Sequence, residues 1–368
     1  LGKLVAVSGA AQRIASSLIA LFGVRYLQWA LVLTGLTIGI PLFYNVGFVL
    51  VFPLIASIIY QYRLPPFVVA LPLLAALSVT HGFLPPHPAP AALVVQFKSN
   101  MGVTLFYGLM IAIPTAIIAG VYFSRSLRGL AATPLRSFTP TELPVERLPG
   151  LVVCLFSALL PVLLLAAVTI ANLSLDQDSP MRRYTTLLGD SSVLMLLSLC
   201  VVTFTLGVSQ GMKLPQIMGD YAAAVQDVVM VVLITAGAGA MKEVFVQGGV
   251  SQLIAGMLDG FNINLLLLAW AITAVIRVCV GSATVAGLTA AGIVAPLLTT
   301  HPELNPNLLV LVVGAGSLMF SHVNDSGFWL FKEYFGLSIK DTIRSWSVME
   351  SIASVGGLVG VLVLDLFV

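Results

Sequence analysis

Charge is what this sequence has least of. Only 9% of its 368 residues are Asp, Glu, Lys or Arg, against 59% that are apolar, whereas soluble domains average about 25% charged residues. A water-soluble globular protein is excluded. So is a disordered chain, which requires low hydrophobicity and high net charge. A formal charge of +2 and the lack of any Lys/Arg run leave no surface for nucleic acid. Cysteine is scarce as well. Cys154, Cys200 and Cys279 stand far apart in apolar runs, with no Cys-x-x-Cys or Cys/His cluster, which argues against a disulfide framework or a zinc site. They read as small packed side chains. Walker A, Rossmann glycine, Gly-x-Ser-x-Gly and His-Glu-x-x-His patterns are all missing, so ATP-driven transport and the common enzyme chemistries have no motif behind them. No metal and no cofactor is expected.

Apolar sequence is what the chain does have. The apolar residues number roughly 217, enough for on the order of ten membrane spans at about 20 each. Residues 1–20 are amphipathic, and Lys3, Ser8, Gln12 and Arg13 interrupt any signal-peptide core; they suit an interfacial helix or half of a re-entrant hairpin. Apolar runs follow at 26–44, 46–60 and 65–80, then a proline-rich break, GFLPPHPAP, at 82–90, and a run at 102–122. The polar stretch 123–149 holds Arg125, Arg128, Arg136 and Arg147 and is the best cytoplasmic loop by the positive-inside rule. Spans at 150–172 and 191–210 come next, then runs at 228–246, 264–281, 284–300 and 307–321, the break SHVNDSGFWLFKEYFG at 321–336, and a last run at 342–368. Gly35-x-x-x-Gly39 and Gly356-x-x-x-Gly360 permit close helix approach.

An internal repeat is the most informative pattern. At an offset of 240, Gly9, Gln12, Ile14, Ala15 and Leu18 fall on Gly249, Gln252, Ile254, Ala255 and Leu258. With a gap of about three residues, VFPLIA from Val51 falls on VAPLLT from Val294, and at the original offset the break at 82–90 falls on 322–330. Unpaired backbone at membrane depth is tolerated only where protein covers it or it lines a cavity. Paired interruptions therefore point to a site between two repeats, where helix N-termini offer N–H groups and partial positive charge to an anion. The expected organisation is a first repeat at 1–125, connecting spans at 126–240 and a second repeat at 241–368.

Several polar residues fall in or beside these breaks. Asp325 follows an apolar run, where a carboxylate at mid-membrane costs about 2.5–3.5 kcal/mol; it reads as a proton or substrate site, or as a helix N-cap. Arg277 lies well inside an apolar stretch and suits an anionic substrate, or a structural pairing with Asp325 or Glu350. Ser282 and Thr284 follow at once and offer hydroxyls to an anion, or close packing. Glu350 reads as a proton relay or as the partner of Lys340 or Arg344 near the interface. His81 and His87 flank Pro85 and Pro86; they suit proton coupling or a loop held by backbone hydrogen bonds. Asn45 sits in another interruption, as a substrate contact or a turn residue. Lys242 and Glu243 read as solvated near a hairpin tip.

HGFLPPHPAP (81–90), GSATVAGLTAAGIVAPLL (281–298) and SHVNDSGFWLFKEYFGLSIKDTIRSWSVMES (321–351) together resemble the signature stretches of the gluconate permease family of bacterial inner-membrane symporters, over essentially the whole chain. The resemblance implies an all-α polytopic fold with two inverted repeats, broken helices and re-entrant hairpins. It implies a small hydroxylated or amino monocarboxylate such as gluconate or D-serine as substrate, protons and the lipid bilayer as partners, and further hydrophobic sequence before Leu1. It leaves a homo-oligomer open. The chain departs from the family pattern at Asn45, where many relatives are acidic, and at His87-Pro88-Ala89-Pro90, where many read HPGP. Asn45, His87, Arg277, Ser282, Thr284, Asn324 and Ser326 are then the expected substrate contacts, and Asp325, Glu350 and His81 the expected proton carriers. The competing expectations are a passive channel for organic anions and an intramembrane enzyme using Asp325 and a histidine as acid and base.

Overall fold

In apolar surroundings a backbone must satisfy its own N–H and C=O groups, and runs this apolar do so as helices. The computed structural model describes residues 1–134, 143–175, 180–248 and 264–368, and among them there is helix and no strand. The first group of helices is α1 Gly2–Val7, α2 Ala10–Phe22, α3 Leu27–Gly39, α4 Tyr44–Tyr62, α5 Pro66–Phe83, α6 Pro88–Gln96 and α7 Met101–Ser126. Then come α8 Leu151–Ser174, α9 Met181–Gly189, α10 Ser191–Val202 and α11 Leu214–Gln247. The last group is α12 Leu265–Val280, α13 Ala283–Val294, α14 Leu297–Thr300, α15 Pro306–Gly316, α16 Ser326–Tyr334 and α17 Ile339–Leu364. Polar residues start several of them. Asn100, Asp190 and Asn264 each accept a hydrogen bond from a free N–H of the helix they precede, at 2.9–3.2 Å.

Among the described residues, six stretches are long and apolar enough to cross a membrane: Pro66–Gln96, Met101–Ser126, Leu151–Asn172, Ser192–Gln210, Ala283–Thr300 and Ile339–Leu364. The pair α2 and α3, bent by 107°, counts as a seventh if taken as one span. That is fewer than the ten the apolar residue count suggests, in part because Leu265–Val280 and Pro306–Gly316 are apolar but short. They end where the chain is interrupted. The sharp bend also resolves the amphipathic start: Leu4, Ala10, Ala11, Ile14, Ala15 and Leu18 are buried against the rest of the molecule rather than laid along its surface.

α5 and α15 form the centre. Nearly every residue of each is buried, which explains why neither has a polar face. They pack on one another, with Leu318 against Gly82 and Gly314 against Phe83. α3 lies along α5 so closely that a Cβ at Gly35 or Gly39 would strike the Leu73 carbonyl or the Thr80 hydroxyl, and the second small-residue motif sets Gly356 and Gly360 against Thr115 and Ile111 of α7 in the same manner. α7 and α17 each contain one widened π turn, at Ile117–Tyr122 and Ile343–Ser347; the first follows Pro114, which cannot donate to the helix ladder.

One expectation changes here. Lys242 and Glu243 lie within α11, not at a hairpin tip, since that helix runs unbroken from Leu214 and absorbs the whole 228–246 run. The matched segment Gly249–Leu258, like Arg136, lies outside the described residues.

Candidate functional site

Four interruptions, at residues 40–43, 84–87, 281–282 and 317–325, bring helix ends together beside α5 and α15. Between them lies a cavity of about 450 Å³, within the usual range for small-molecule sites. The first turns of α4, α13 and α16 line it, so three sets of N-terminal backbone N–H groups border the same space.

The Arg277–Asp325 pair anchors the chamber. Arg277 projects from the last turn of α12, and its Nη2 donates to Asp325 Oδ2 at 2.5 Å, with the two side chains 3% and 17% exposed. Asp325 is both an ion-pair partner and a helix cap. Its Oδ1 accepts the Gly327 N–H at 3.0 Å at the start of α16, while Oδ2 also accepts the Ser321 hydroxyl. Ser321 is itself fixed, since Trp346 Nε1 donates to its Oγ at 2.8 Å and Ser347 donates to its carbonyl. Both partners stand in the π turn of α17, whose extra residue per turn re-aims side chains.

The α12 end is held open by side chains. Asn324 Nδ2 donates to the Val278 carbonyl at 2.9 Å and to that of Cys279 at 3.3 Å, and His322 Nε2 reaches Val278 at 2.9 Å. Gly281 closes the helix at φ +81°, and a Cβ there would overlap the Asn324 carbonyl. Ser282 caps α13 through the Val285 N–H at 3.4 Å, and Thr284 lies beside it on the cavity wall. Across the space, Asn45 Nδ2 donates to Ser326 Oγ at 3.3 Å, joining the first turns of α4 and α16.

His81 ends α5 and lines the chamber; its Nδ1 lies 3.1 Å from His87 Nε2. The two rings contact one another, and His87 also meets the Leu42 backbone. His87 stands one layer back, on the wall of a smaller cavity of about 210 Å³ that also touches Phe43 and Lys3. Glu350 lies on the chamber wall at 2% exposure. It makes no ion pair with Lys340 or Arg344, because the chamber side of α17 carries it inward, away from the interface. Nine of the ten sequence-predicted residues therefore share one cavity, and the tenth, His87, touches it through His81. No cluster able to hold a metal ion occurs among the described residues.

Sequence reasoning passed over Tyr44, Ser78, Ser321 and Trp346. Tyr44 adjoins Asn45 in the same break and Ser321 opens a stretch already singled out. Ser78 is a lone hydroxyl in an apolar helix and gives no signal. Four polar atoms around the chamber are buried without a protein partner: Arg277 Nε and Nη1, Tyr44 Oη and Glu350 Oε1. A native interior leaves few such groups unpaired, and these four border a polar chamber that water or a ligand can fill. Nε and Nη1 stand on opposite sides of Nη2, so each offers its own charge-assisted N–H to a carboxylate.

Fold and chamber together define a multi-pass α-helical membrane protein with a polar binding site at interrupted helices. The chain belongs to the GntP permease family, whose model matches residues 1–367. It is 46% identical to a high-affinity gluconate transporter of Escherichia coli (strain K12), over all of this chain and 84% of that protein. It is also 44% identical to the Gnt-II system L-idonate transporter of the same organism, over 99% of this chain and 83% of that one, and 40% identical to a gluconate permease of Bacillus subtilis (strain 168), over 100% and 84%. These relatives are permeases and transporters rather than enzymes, which sets aside the intramembrane acid–base reading.

Proposed function

We propose that this chain is a secondary active transporter that imports gluconate, or a closely related small hydroxylated monocarboxylate, across the bacterial cytoplasmic membrane by proton symport with alternating access. The observation that carries the reading is the pair of buried, unpartnered Arg277 donors, Nε and Nη1, in a chamber bordered by three helix N-termini. Nη2 remains on Asp325, which keeps the guanidinium oriented while the Nε or Nη1 N–H on either side of it donates to the carboxylate. Asn45, Ser282, Thr284, Asn324 and Ser326 offer hydroxyl and amide groups to the rest of a polyol chain, with His87 behind His81. The proton is carried by a chamber group, of which Asp325, Glu350 and His81 are the candidates.

Alternating access requires two bodies that move about the site, and we assign these to the repeats at 1–125 and 241–368 with connecting spans at 126–240. In support, shifting by 240 sets the first residues of α4, α5, α6 and α7 within two positions of those of α13, α15, α16 and α17. The packing is reciprocal as well: α4 lies on α16 as α6 lies on α13, and α7 on α15 as α17 on α5. A site between two such halves faces either side as one moves against the other.

The test is uptake of labelled gluconate by proteoliposomes with an imposed pH gradient, alongside a panel that includes L-idonate and D-serine. Saturable accumulation above the external concentration, abolished by an uncoupler, is expected. Flux that stops at equal concentrations would convert the reading to a channel.

A further inference from the structure

We propose that Glu350, rather than Asp325 or His81, takes the proton when the chamber takes its anion. The inference rests on the reading of this chain as a carrier of a small monocarboxylate, and it begins with a count of hydrogen-bond donors. Asp325 is fully engaged: Arg277 and Ser321 donate to one oxygen and the Gly327 N–H to the other. All three donors call for an ionised acceptor, and protonation would weaken both the ion pair and the cap of α16.

Glu350 differs on each point. It is 2% exposed, has no ion-pair partner among the described residues, and its Oε1 lacks any hydrogen bond. The titratable and charged groups around it are Arg277 from α12, Asp325 at the start of α16, Tyr44 from α4 and His81 from α5, and the Ser78 hydroxyl lies against its carboxylate. Arg277 is the one permanent cation among them, and Asp325 already holds it.

An arriving carboxylate therefore sets Arg277 against three negative groups if Glu350 is ionised, and against two if it is not. A buried carboxylate with no counter-charge is costly, and a second anion in the same enclosed space raises that cost. The proton passes from water on the uptake side to a Glu350 oxygen, forming a carboxylic acid as the anion seats, and returns to water on the other side after the anion departs. Cargo and proton cross together as a net neutral load. The new O–H also gives Glu350 a donor toward the cargo's oxygens, where the carboxylate had none. A proton on His81 instead would leave Glu350 ionised and unpaired.

Gluconate binding to the purified full chain, measured by calorimetry in buffers of different ionisation enthalpy, tests this. The wild type is expected to take up about one proton per gluconate in the alkaline range and to lose affinity roughly tenfold per pH unit there. Glu350→Gln is expected to bind without proton uptake, with affinity nearly flat across that range. Should that variant fail to fold, Glu350→Asp keeps a carboxyl. Infrared difference spectra on adding gluconate are then expected to show a protonated-carboxyl band in the wild type that moves in Glu350→Asp. Proton uptake by Glu350→Gln equal to that of the wild type, or a band unmoved in Glu350→Asp, would overturn the assignment, as would wild-type binding with no proton taken up. A wild type that binds no monocarboxylate would instead remove the functional reading beneath it.

Discussion

At the scale of single residues, the chamber is a set of mutual constraints around one guanidinium. Removing one partner of a buried ion pair costs about 3–5 kcal/mol, because the other charge is left stranded. Arg277→Ala is therefore expected to weaken gluconate binding by at least 100-fold and to lower thermal stability in detergent. Arg277→Lys restores the charge but not the fork, so stability is expected to recover more than affinity; binding isotherms beside melting curves check the difference. Ser321 is the second test. Its hydroxyl donates to Asp325 and accepts from Trp346, so Ser321→Ala strands the indole N–H and removes a support from the ion pair. A loss of about 1–3 kcal/mol is expected, read as a lower unfolding midpoint, with weaker binding following from a displaced Arg277.

At the scale of elements, helices were easy to place and their ends were not. Long apolar runs dictate helices, and the breaks at 82–90 and 321–329 announce themselves through proline, asparagine and glycine. Hydropathy cannot show that α12 and α15 stop short beside a cavity, since a half-span and a whole span differ in length and not in kind. Nor can it tell a terminal carboxylate near the headgroups from one facing inward. Glu350 reads as an interfacial partner of Lys340 or Arg344 until the π turn of α17 sets its face. Spacing did place Arg277, Ser282, Thr284, Asn324 and Asp325 in or beside interruptions, because a charge or polar cluster amid apolar sequence needs a partner or a role. Close approach of α3 to α5 gives an element-level test. A Cβ at Gly39 would sit 2.1 Å from the Thr80 hydroxyl oxygen, so Gly39→Ala is expected to cost about 1–3 kcal/mol through overpacking. Gly39→Ala combined with Thr80→Ala, which clears that contact, is expected to regain part of it.

At the scale of the whole molecule, the two proposed repeats touch across the chamber at defined points. Asn45 and Ser326 lie on the first turns of α4 and α16, one in each proposed repeat, with side chains 3.3 Å apart. In a chain whose three cysteines are replaced, Asn45→Cys with Ser326→Cys bridged by a short bifunctional thiol reagent is expected to halt uptake, while either single variant treated alike is not halted. Uptake at the unbridged rate after complete bridging would show that these turns do not part during the cycle.

The side chains of Asn324 and His322, not the cargo, satisfy the last carbonyls of α12. Its broken end is thus complete before anything arrives and stays complete once it has left. On the proposed alternating-access cycle, the vacant carrier keeps its architecture for the homeward stroke, and the speed of a full round trip is not tied to rebuilding a seat that each passenger would otherwise carry away.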